Sequence, residues 1–504
     1  MRLLLPSGLA LLLALPTAAA AQDGAESIAV TVYSAPGGQG AQPQQVFDPA
    51  SGQWVVQVPG FSVVKERRTM ALEAGANTLR FDRVAAGIDA STVVFRSLTD
   101  PGGTSVLEQS FQYDLASADR ILEKYLGREV EVLLKSLSEH KGRLLSFDAL
   151  RLVVDQRGEV VILDRDNLNR IALKAGGGGL VTKPTLVWLV NAAKAGEHLV
   201  ETAYETSGMS WAADYTAVVS PDDTKVDLSA WVTIRNQSGA SYEAALLKLV
   251  AGDLNRVPRQ DQSMGFAVNG AMEFGAGTPP PGFSEKAFFE YHLYTLGRRT
   301  TLPDRSLKQI ELFDSVAGVP CRKAYLYDGA RDLPPWYSPG PNRDENFGMV
   351  SNRKVGVYLE IVNRKEDGLG MPLPAGRMRL HKRDEADGFP ELIGEDRLDH
   401  TPKDERVRLR VGDAFDIVGE RTRTDFKADY NAHWITETFE IKVRNHKDEP
   451  VEVLVKERLY RWVNWTVEKP STQFEKKDSQ VIHFPVKVPK DGEAVVTYTV
   501  RYTW

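Results

Sequence analysis

The sequence predicts a mainly β, multi-domain protein that combines β-sandwich domains with a small SH3-like barrel and one short helix. Short runs of β-branched and aromatic residues that alternate with polar residues fill most of the chain, and such alternation is typical of strands with one buried face. Clusters of Gly, Pro, Asp and Asn separate these runs, as turns separate strands. The length of 504 residues favours about three domains.

The first segment of the chain has the features of a secretory signal peptide. Arg2 supplies a basic start, residues 3–15 are mostly apolar, and Ala19 and Ala21 stand where a signal peptidase requires small residues. No later stretch approaches the roughly 20 apolar residues that a membrane helix needs. We therefore expect residues 1–21 to be a signal peptide and the mature chain to be exported, to the periplasm or the outside of the cell.

Residues 22–115 are predicted to form an N-terminal β domain. Its short runs are rich in Val, Ile, Thr, Phe and Trp, and a Gly/Gln/Pro loop at 36–43 and a turn at 100–103 interrupt them. The predicted strands lie at 27–33, 53–58, 69–72, 77–81 and 91–96.

Residues 116–183 are predicted to hold the short helix and the SH3-like barrel. Ser117 can cap the N terminus of the helix, and Gly127 can adopt the left-handed conformation after its end. Five short strand-like runs then follow closely, a density that favours a small barrel. The runs lie at 129–134, 143–146, 150–154, 159–163 and 170–173. Four consecutive glycines at 176–179 indicate a flexible link to the next region.

Two further β regions complete the predicted organisation: a β domain at residues 184–302 and a C-terminal β-sandwich domain at 303–504. In both regions strand-like runs recur at the spacing typical of sandwiches. The run at 494–504 alternates apolar or aromatic residues with Thr and Arg. Its core-facing residues are predicted to be Tyr498, Val500, Tyr502 and Trp504.

Several blocks that cover nearly all of the mature chain resemble one family. The most specific are Thr-Pro-Lys-Asp-Glu at 401–405 and Gly-Asp-Ala-Phe-Asp at 412–416. Further blocks lie at 79–83, 96–101, 123–132, 183–189, 210–215, 246–256, 394–400 and 444–450. Together they resemble the bacterial domain-of-unknown-function 4139 family, with mucoidy inhibitor A-like proteins as more distant relatives. The resemblance implies an exported β-rich protein, and it implies no catalytic residues because the family has no established activity. The loops at 36–43 and 334–346 match no known pattern.

Charge and motif content disfavour several classes of function. A formal net charge of −6 argues against a nucleic-acid binder, which carries a basic stripe. Cys321 is the sole cysteine, so no disulfide can form within the chain, and no His-bearing motif marks it as a nucleophile. Ser-x-x-Lys occurs at 62–65, 138–141 and 351–354, without the partner motifs of a β-lactamase-like site.

The eight His residues form no pattern with metal-ligand spacing. The densest group of ligand-type residues runs from Glu395 to His400, but on a strand Asp396 and His400 would lie about 13 Å apart. We therefore interpret this group as a ladder of solvent-exposed salt bridges. We expect neither a metal nor a cofactor.

A Pro-rich loop carries the strongest candidate binding residues, Trp336 and Tyr337. Loops on a rigid β scaffold often carry binding, and exposed Trp and Tyr suit a sugar face or a partner protein. In the alternative interpretation both rings fold back and cap the end of the sandwich. Trp462 and Trp465 are a second candidate pair. Three aromatic residues inside strand-like runs are predicted to lie in the core instead: Trp211, Tyr215 and Trp231.

Three interpretations of function follow. The favoured one is a non-enzymatic, exported cell-envelope protein that binds an envelope protein or glycan, or serves as a structural scaffold. The second is a hydrolase that acts on an envelope polysaccharide or peptide through carboxylates at a domain junction. The third is an outer-membrane barrel, suggested by the aromatic end of the chain. The barrel is disfavoured because apolar strand faces such as 451–455 stop at a charged residue, Glu457, before they could span a bilayer.

Overall fold

The computed structural model describes residues 27–34, 44–48, 53–57, 60–82, 84–112, 118–173, 184–252, 254, 282–334 and 339–504. Within these ranges strands predominate and one α-helix is present, which confirms the mainly β fold class. No helix in the described ranges is long and apolar enough to cross a membrane.

The elements follow one another as a long series of strands. Before the helix lie β1 (Ser27–Tyr33), β2 (Gln44–Asp48), β3 (Gln53–Gln57), β4 (Phe61–Leu72), β5 (Gly75–Asp82), β6 (Ile88–Ser97) and β7 (Thr104–Gln112). Next come α1 (Ala118–Lys124), β8 (Glu129–Leu134), β9 (Glu139–Phe147), β10 (Arg151–Gln156), β11 (Glu159–Asp164) and β12 (Leu168–Leu173). They are followed by β13 (Thr185–Ala192), β14 (Gly196–Ser207), β15 (Met209–Val219), β16 (Lys225–Asn236), β17 (Tyr242–Ala251), β18 (Phe283–Phe288), β19 (Tyr291–Leu296) and β20 (Thr300–Leu302). The last group is β21 (Ser306–Asp328), β22 (Lys354–Val362), β23 (Gly376–Arg383), β24 (Pro390–Leu398), β25 (Arg406–Asp429), β26 (Trp434–Asn445), β27 (Val451–Arg458), β28 (Trp465–Glu468), β29 (Glu475–Lys476), β30 (Val481–Val488) and β31 (Gly492–Thr503).

An eight-stranded sheet and a three-stranded sheet pack together in the first half of the chain. The larger has the order β18-β19-β17-β1-β4-β14-β6, with β20 beside β17, and the smaller has the order β5-β13-β7. Trp188 on β13 contacts the rings of Phe81 and Phe95, with ring centres 5.3 and 5.1 Å away. Strands from residues 22–115 and from 184–302 thus share sheets and a core, so pairing crosses the domain limits that the sequence suggested.

Residues 118–173 form a separate small unit with its own core. The sheet order is β11-β10-β9-β8-β12, and Leu122 and Tyr125 of the helix region pack into the core. The short helix and the five strands are confirmed, and Gly127 has a positive φ of 76° as its place after the helix predicts. The sequence suggested a barrel here, but the sheet is open because β11 and β12 do not pair.

A thirteen-stranded sheet links the first core to a second one. Its main path is β24-β23-β15-β16-β21-β22-β25-β26-β31-β28, and β27, β30 and β29 branch from β21. β21 pairs first with β16 and then with β22 and β27, while β25 pairs first with β22 and then with β26. Ile310 and Leu409 from their first halves lie in the first core. Further along the two strands, Tyr327 of β21 and Ile417 of β25 lie in the second core.

The final strand, β31, lies between β26 and β28. Tyr498, Val500 and Tyr502 are buried in the second core, as the alternation predicts. Trp504 is only half-buried, so the prediction that it faces the core is wrong. The reason is that the β26–β31 ladder ends one residue earlier, at Thr503. Its ring instead packs edge-on against His433, with ring centres 6.0 Å apart.

Two of the three strand aromatics predicted to be core residues are confirmed. Trp211 and Tyr215 on β15 are buried. Trp231 is 43 % exposed, so the prediction for this residue is wrong. The buried positions of β16 around it are the even-numbered ones, such as Ala230 and Val232, and Trp231 therefore points away from the core.

We expect a chain that lacks residues 501–504 to lose about 3–5 kcal/mol of stability in its C-terminal part, because the fully buried Tyr502 leaves a cavity and its pairing with β26 and β28 is lost. Thermal unfolding measures the loss. Val495→Ala, on the exposed side of the same strand, is the matched control and should change stability by less than about 0.5 kcal/mol. An unchanged melting temperature after the deletion would contradict the assigned core role of Tyr502.

Candidate functional site

Trp336 and Tyr337, the aromatic pair predicted to bind a partner, lie outside the described residues. They belong to the connection between β21 and β22, residues 329–353, which we call the β21–β22 loop. The structure describes this loop on both sides of the pair, at 329–334 and at 339–353. These flanking parts reveal how the C-terminal sandwich holds the loop.

Three arginines hold the second half of the β21–β22 loop, and we call them the anchor arginines. Arg421 and Arg423 lie on β25, and Arg461 follows β27. Their guanidinium groups donate hydrogen bonds to loop carbonyls, with N···O distances between 2.5 and 3.0 Å. The accepting oxygens belong to Asn342, Asp344, Glu345, Phe347 and Gly348. Because buried side chains satisfy these carbonyls, the backbone path of this segment is fixed.

Two buried glutamates offset the charges of the anchor arginines. Glu457 accepts hydrogen bonds from Nε of Arg421 at 3.0 and 3.1 Å. Glu437 accepts from Arg461 at 2.8 Å and from Arg423 at 3.1 Å. Both glutamate side chains are 0 % exposed. Ionised groups persist at such burial only when they are paired and hydrogen-bonded, so every member of this network depends on its partners.

Two buried tyrosines complete the hydrogen bonding of the glutamates. The hydroxyl of Tyr498 donates to Glu457 at 2.5 Å, and that of Tyr460 donates to Glu437 at 3.2 Å. Desolvation raises the pKa of both phenols, and the neighbouring carboxylates raise it further, so both stay protonated donors. The guanidinium of Arg421 also lies 3.9 Å from the ring centre of Phe439, which adds a cation–π contact.

Regular strand alternation places both glutamates inside the sandwich. On β26, Glu437 occupies a buried position between the buried residues Ile435 and Phe439. On β27, Glu457 follows Val455 in the same phase. In the sequence Glu457 looked like the end of the apolar face, whereas the buried face continues through it. In each strand the glutamate stands two residues from a buried apolar residue, so it occupies the inward-facing position. This placement of a charged residue was the feature of the sequence that could have indicated a buried charge network.

The buried network suits an anchor better than a catalytic pair of carboxylates. A glycosidic site needs one carboxyl group to protonate the leaving group and another to meet water or the sugar. Glu437 and Glu457 are enclosed by guanidinium and phenol donors and have no exposed surface. A substrate therefore cannot contact them without opening the sandwich.

Trp462 and Trp465, the second candidate pair, pack against the second core. The indole N–H of Trp465 donates to the carbonyl of Ser479 at 2.7 Å, and the ammonium of Lys476 lies 4.7 Å from its ring centre. Both tryptophans are half-buried. Both rings therefore pack against the second core of the sandwich.

A second buried ion pair lies in the first core, on β4. Glu66 accepts a hydrogen bond from Arg68 at 2.7 Å, and Arg68 also lies 3.8 Å from Asp82 and over the ring of Phe81. Burial raises the pKa of Glu66, and Arg68 opposes that rise. A raised carboxyl pKa is a feature of functional sites, but Glu66 is only 3 % exposed and its close cation makes it a structural pair.

The group from Glu395 to His400 contributes to strand pairing. Glu395 lies 3.3 Å from Arg379 on the neighbouring strand, and a carboxylate oxygen of Asp396 accepts the backbone N–H of Arg410. Nδ1 of His400 accepts the backbone N–H of Ala375 at 3.1 Å. In the described part of the chain no three His, Cys, Asp or Glu side chains converge on one point that could hold a metal ion.

Cys321 lies on β21, half-buried, with its thiol beside the carbonyl of Asp223. Burial, together with the nearby carboxylates of Asp223 and Asp222, raises the pKa of the Cys321 thiol to about 11. The thiolate is the reactive form of cysteine. A thiol in this environment is therefore a poor nucleophile at neutral pH.

Alkylation of Cys321 by iodoacetamide should be roughly a hundredfold slower at pH 8 than that of an ordinary thiol, because a raised pKa keeps the thiolate scarce. The rate should keep rising towards pH 11. The same chain unfolded in concentrated urea is the control and should react at the ordinary rate. Equal rates for the folded and unfolded chain at pH 8 would contradict the raised pKa.

Glu437→Gln should cost about 3–5 kcal/mol of unfolding free energy, because it leaves two buried guanidinium groups without their counter-charge. Urea denaturation measures the cost, and limited proteolysis should cut the β21–β22 loop faster. Glu440→Gln is the matched control, since Glu440 pairs with Lys442 on the outer face of the same strand and such pairs contribute less than about 1 kcal/mol. Equal costs for the two substitutions would refute the anchoring role.

No protein-family model, curated protein or solved structure matches this chain. The resemblance to the bacterial domain-of-unknown-function 4139 family therefore stays a prediction from the sequence. The structure places its two most specific blocks together, with 401–405 directly before β25 and 412–416 within that strand.

Proposed function

We propose that this chain is an exported, non-enzymatic cell-envelope protein that acts as a binding scaffold. In this proposal the β21–β22 loop presents Trp336 and Tyr337 to an envelope protein or glycan. The observation that carries the proposal is the attachment of this loop to the second core by the anchor arginines. The features of a signal peptide at residues 1–21 support export.

Both flanks of the aromatic pair are fixed to the sandwich. Before the pair, Leu333 and Ala330 are buried in the second core. After the pair, Asn342 is buried and its N–H donates to the carbonyl of Arg461 at 2.9 Å. A loop whose ends are held in place loses less conformational entropy when it binds a partner. This saving favours a recognition loop over a passive connection.

The end of the chain adds another contact to the same loop. The guanidinium of Arg343 lies 5.2 Å from the ring of Trp504 and 5.9 Å from the ring of Tyr430. The hydroxyl of Tyr430 donates to the carbonyl of Arg343 at 3.1 Å. Aromatic and cationic side chains thus lie together at Arg343 in the loop, and Trp, Tyr and Arg are the residues enriched at binding sites.

The hydrolase interpretation has less support. The carboxylates of Glu437 and Glu457 are enclosed, and Glu66 is nearly as deeply buried beside Arg68. A hydrolase needs an acid that reaches its substrate. A binding scaffold needs a rigid framework and an accessible loop, which agrees with the buried network and its position under the loop.

The test is affinity capture from an envelope extract with the mature protein as bait. Trp336→Ala and Tyr337→Ala should reduce recovery of the specific partner at least about fivefold, because Trp and Tyr are enriched among the few residues that carry most of the binding energy at an interface. Trp231→Ala, a partly exposed tryptophan on β16, is the matched control and should leave recovery unchanged. Identical partners and yields for all variants would exclude the loop as the binding site.

A further inference from the structure

One face of the thirteen-stranded sheet carries an excess of positive charge where β21, β22 and β25 lie side by side. Glu360 on β22 stands opposite Arg322 of β21 and Arg408 of β25. Arg322, Arg406 and Arg408 approach its carboxylate to 3.5, 3.6 and 3.5 Å. One negative charge therefore meets three guanidinium groups.

A second cluster of the same kind lies further along β22. Asp413 on β25 stands opposite Gly356. Its carboxylate lies 2.7 Å from Arg410, 3.6 Å from Lys354 and 3.9 Å from Arg331. Again three cations share one carboxylate. We call the surface formed by both clusters the basic face; its cations are Arg322, Arg331, Lys354, Arg406, Arg408 and Arg410.

The cations of the basic face lie outside and the carboxylates beneath them. The six cationic side chains are between 35 and 72 % exposed, whereas Glu360 is 12 % and Asp413 25 % exposed. Six cations against two carboxylates leave four positive charges. The whole chain carries a net charge of −6, so this excess is local. Such a concentrated field attracts anionic groups.

Aromatic rings accompany the two clusters. Tyr358 lies between them on β22, and the guanidinium of Arg408 lies 4.5 Å from its ring centre. Phe415, two residues after Asp413 on β25, is 96 % exposed. The clusters are four residues apart along β22, which corresponds to about 13 Å on a strand. The basic face therefore offers two anion sites at a fixed distance, with apolar ring surface beside them.

We propose that the basic face binds a linear anionic polysaccharide. Arginine forks match carboxylate and phosphate groups geometrically, and a chain of charged sugars can bridge two sites about 13 Å apart. Exposed aromatic rings suit the apolar faces of sugars. This inference rests on the proposed function, which places the protein in the cell envelope. A protein exported there meets anionic polysaccharide rather than nucleic acid.

The probe is polygalacturonate, a carboxylated polysaccharide, with neutral dextran and single-stranded poly-dT as competitors for specificity. The double substitution Arg406→Gln with Arg408→Gln should weaken polygalacturonate binding at least about tenfold, since it removes half of the four excess charges. Arg377→Gln with Arg379→Gln is the matched control: those arginines alternate on β23 in the same way, but Asp214 and Glu395 neutralise them. This control should bind within about twofold of the unchanged protein.

Glu360→Gln is expected to tighten binding, and a misfolded variant would weaken it instead. It removes a carboxylate from beneath three guanidinium groups, so it should tighten polygalacturonate binding about two- to fivefold at low salt. Binding should weaken as salt rises, because the contact is electrostatic. Absence of polygalacturonate binding, equal binding by the Arg406/Arg408 double variant, or tighter binding of poly-dT would each overturn the proposal.

The loop variants separate this proposal from the proposed function. Trp336→Ala and Tyr337→Ala leave the six cations of the basic face intact, so polygalacturonate binding should stay within about twofold. If the loop variants lost polygalacturonate binding, the loop and the basic face would form one binding site. That result would overturn the proposal that the basic face binds the polymer by itself. Failure of the polymer assay alone would leave partner capture by the loop unaffected.

Discussion

The continuity of β21 and β25 is the constraint on which the rest of the molecule depends. These strands of 23 and 24 residues pass from the first core into the second, so each must present apolar residues to both. On β21 the inward positions change from Ile310 and Leu312 to Tyr325 and Tyr327, that is, from even to odd numbers. Register shifts opposite β16 accommodate the change, because an extra residue in one strand reverses which side chains face inward.

The same two strands position both proposed binding features. The β21–β22 loop leaves the end of β21, and the basic face lies on β21, β22 and β25 except for Arg331, which belongs to the first part of that loop. Arg421 enters the second core from the far half of β25 and donates to Glu457 of β27, which also accepts a hydrogen bond from Tyr498 of β31. Buried charges of this kind add little net stability over apolar packing, but they penalise any arrangement in which a partner is missing. The network thereby selects one path for the loop.

Patterns within short stretches of the sequence predicted the features that short stretches determine: strands, helix ends and the inward faces of strands. Two-residue alternation predicted the β class and the inward face of Tyr498, Val500 and Tyr502, and the capping residues Ser117 and Gly127 predicted the short helix. The rest depends on pairing between distant residues. Glu457 faces Arg421 across 36 positions, and no short-range pattern specifies that contact. The small sheet of residues 129–173 is open because its two edge strands, β11 and β12, do not pair although they follow each other in the sequence. Trp231 shows that a large ring in a strand can occupy the outer side.

The attachment of residues 118–173 has an evolutionary consequence. This unit is inserted between β7 and β13, which are neighbours in the three-stranded sheet, and the last residue of β7, Gln112, pairs directly with the first of β13, Thr185. Paired residues in an antiparallel ladder lie about 5 Å apart. A tight turn could join the same two strands without moving either. The geometry therefore allows this unit to be inserted or removed during evolution without a change in the strand pairing of the surrounding sheets.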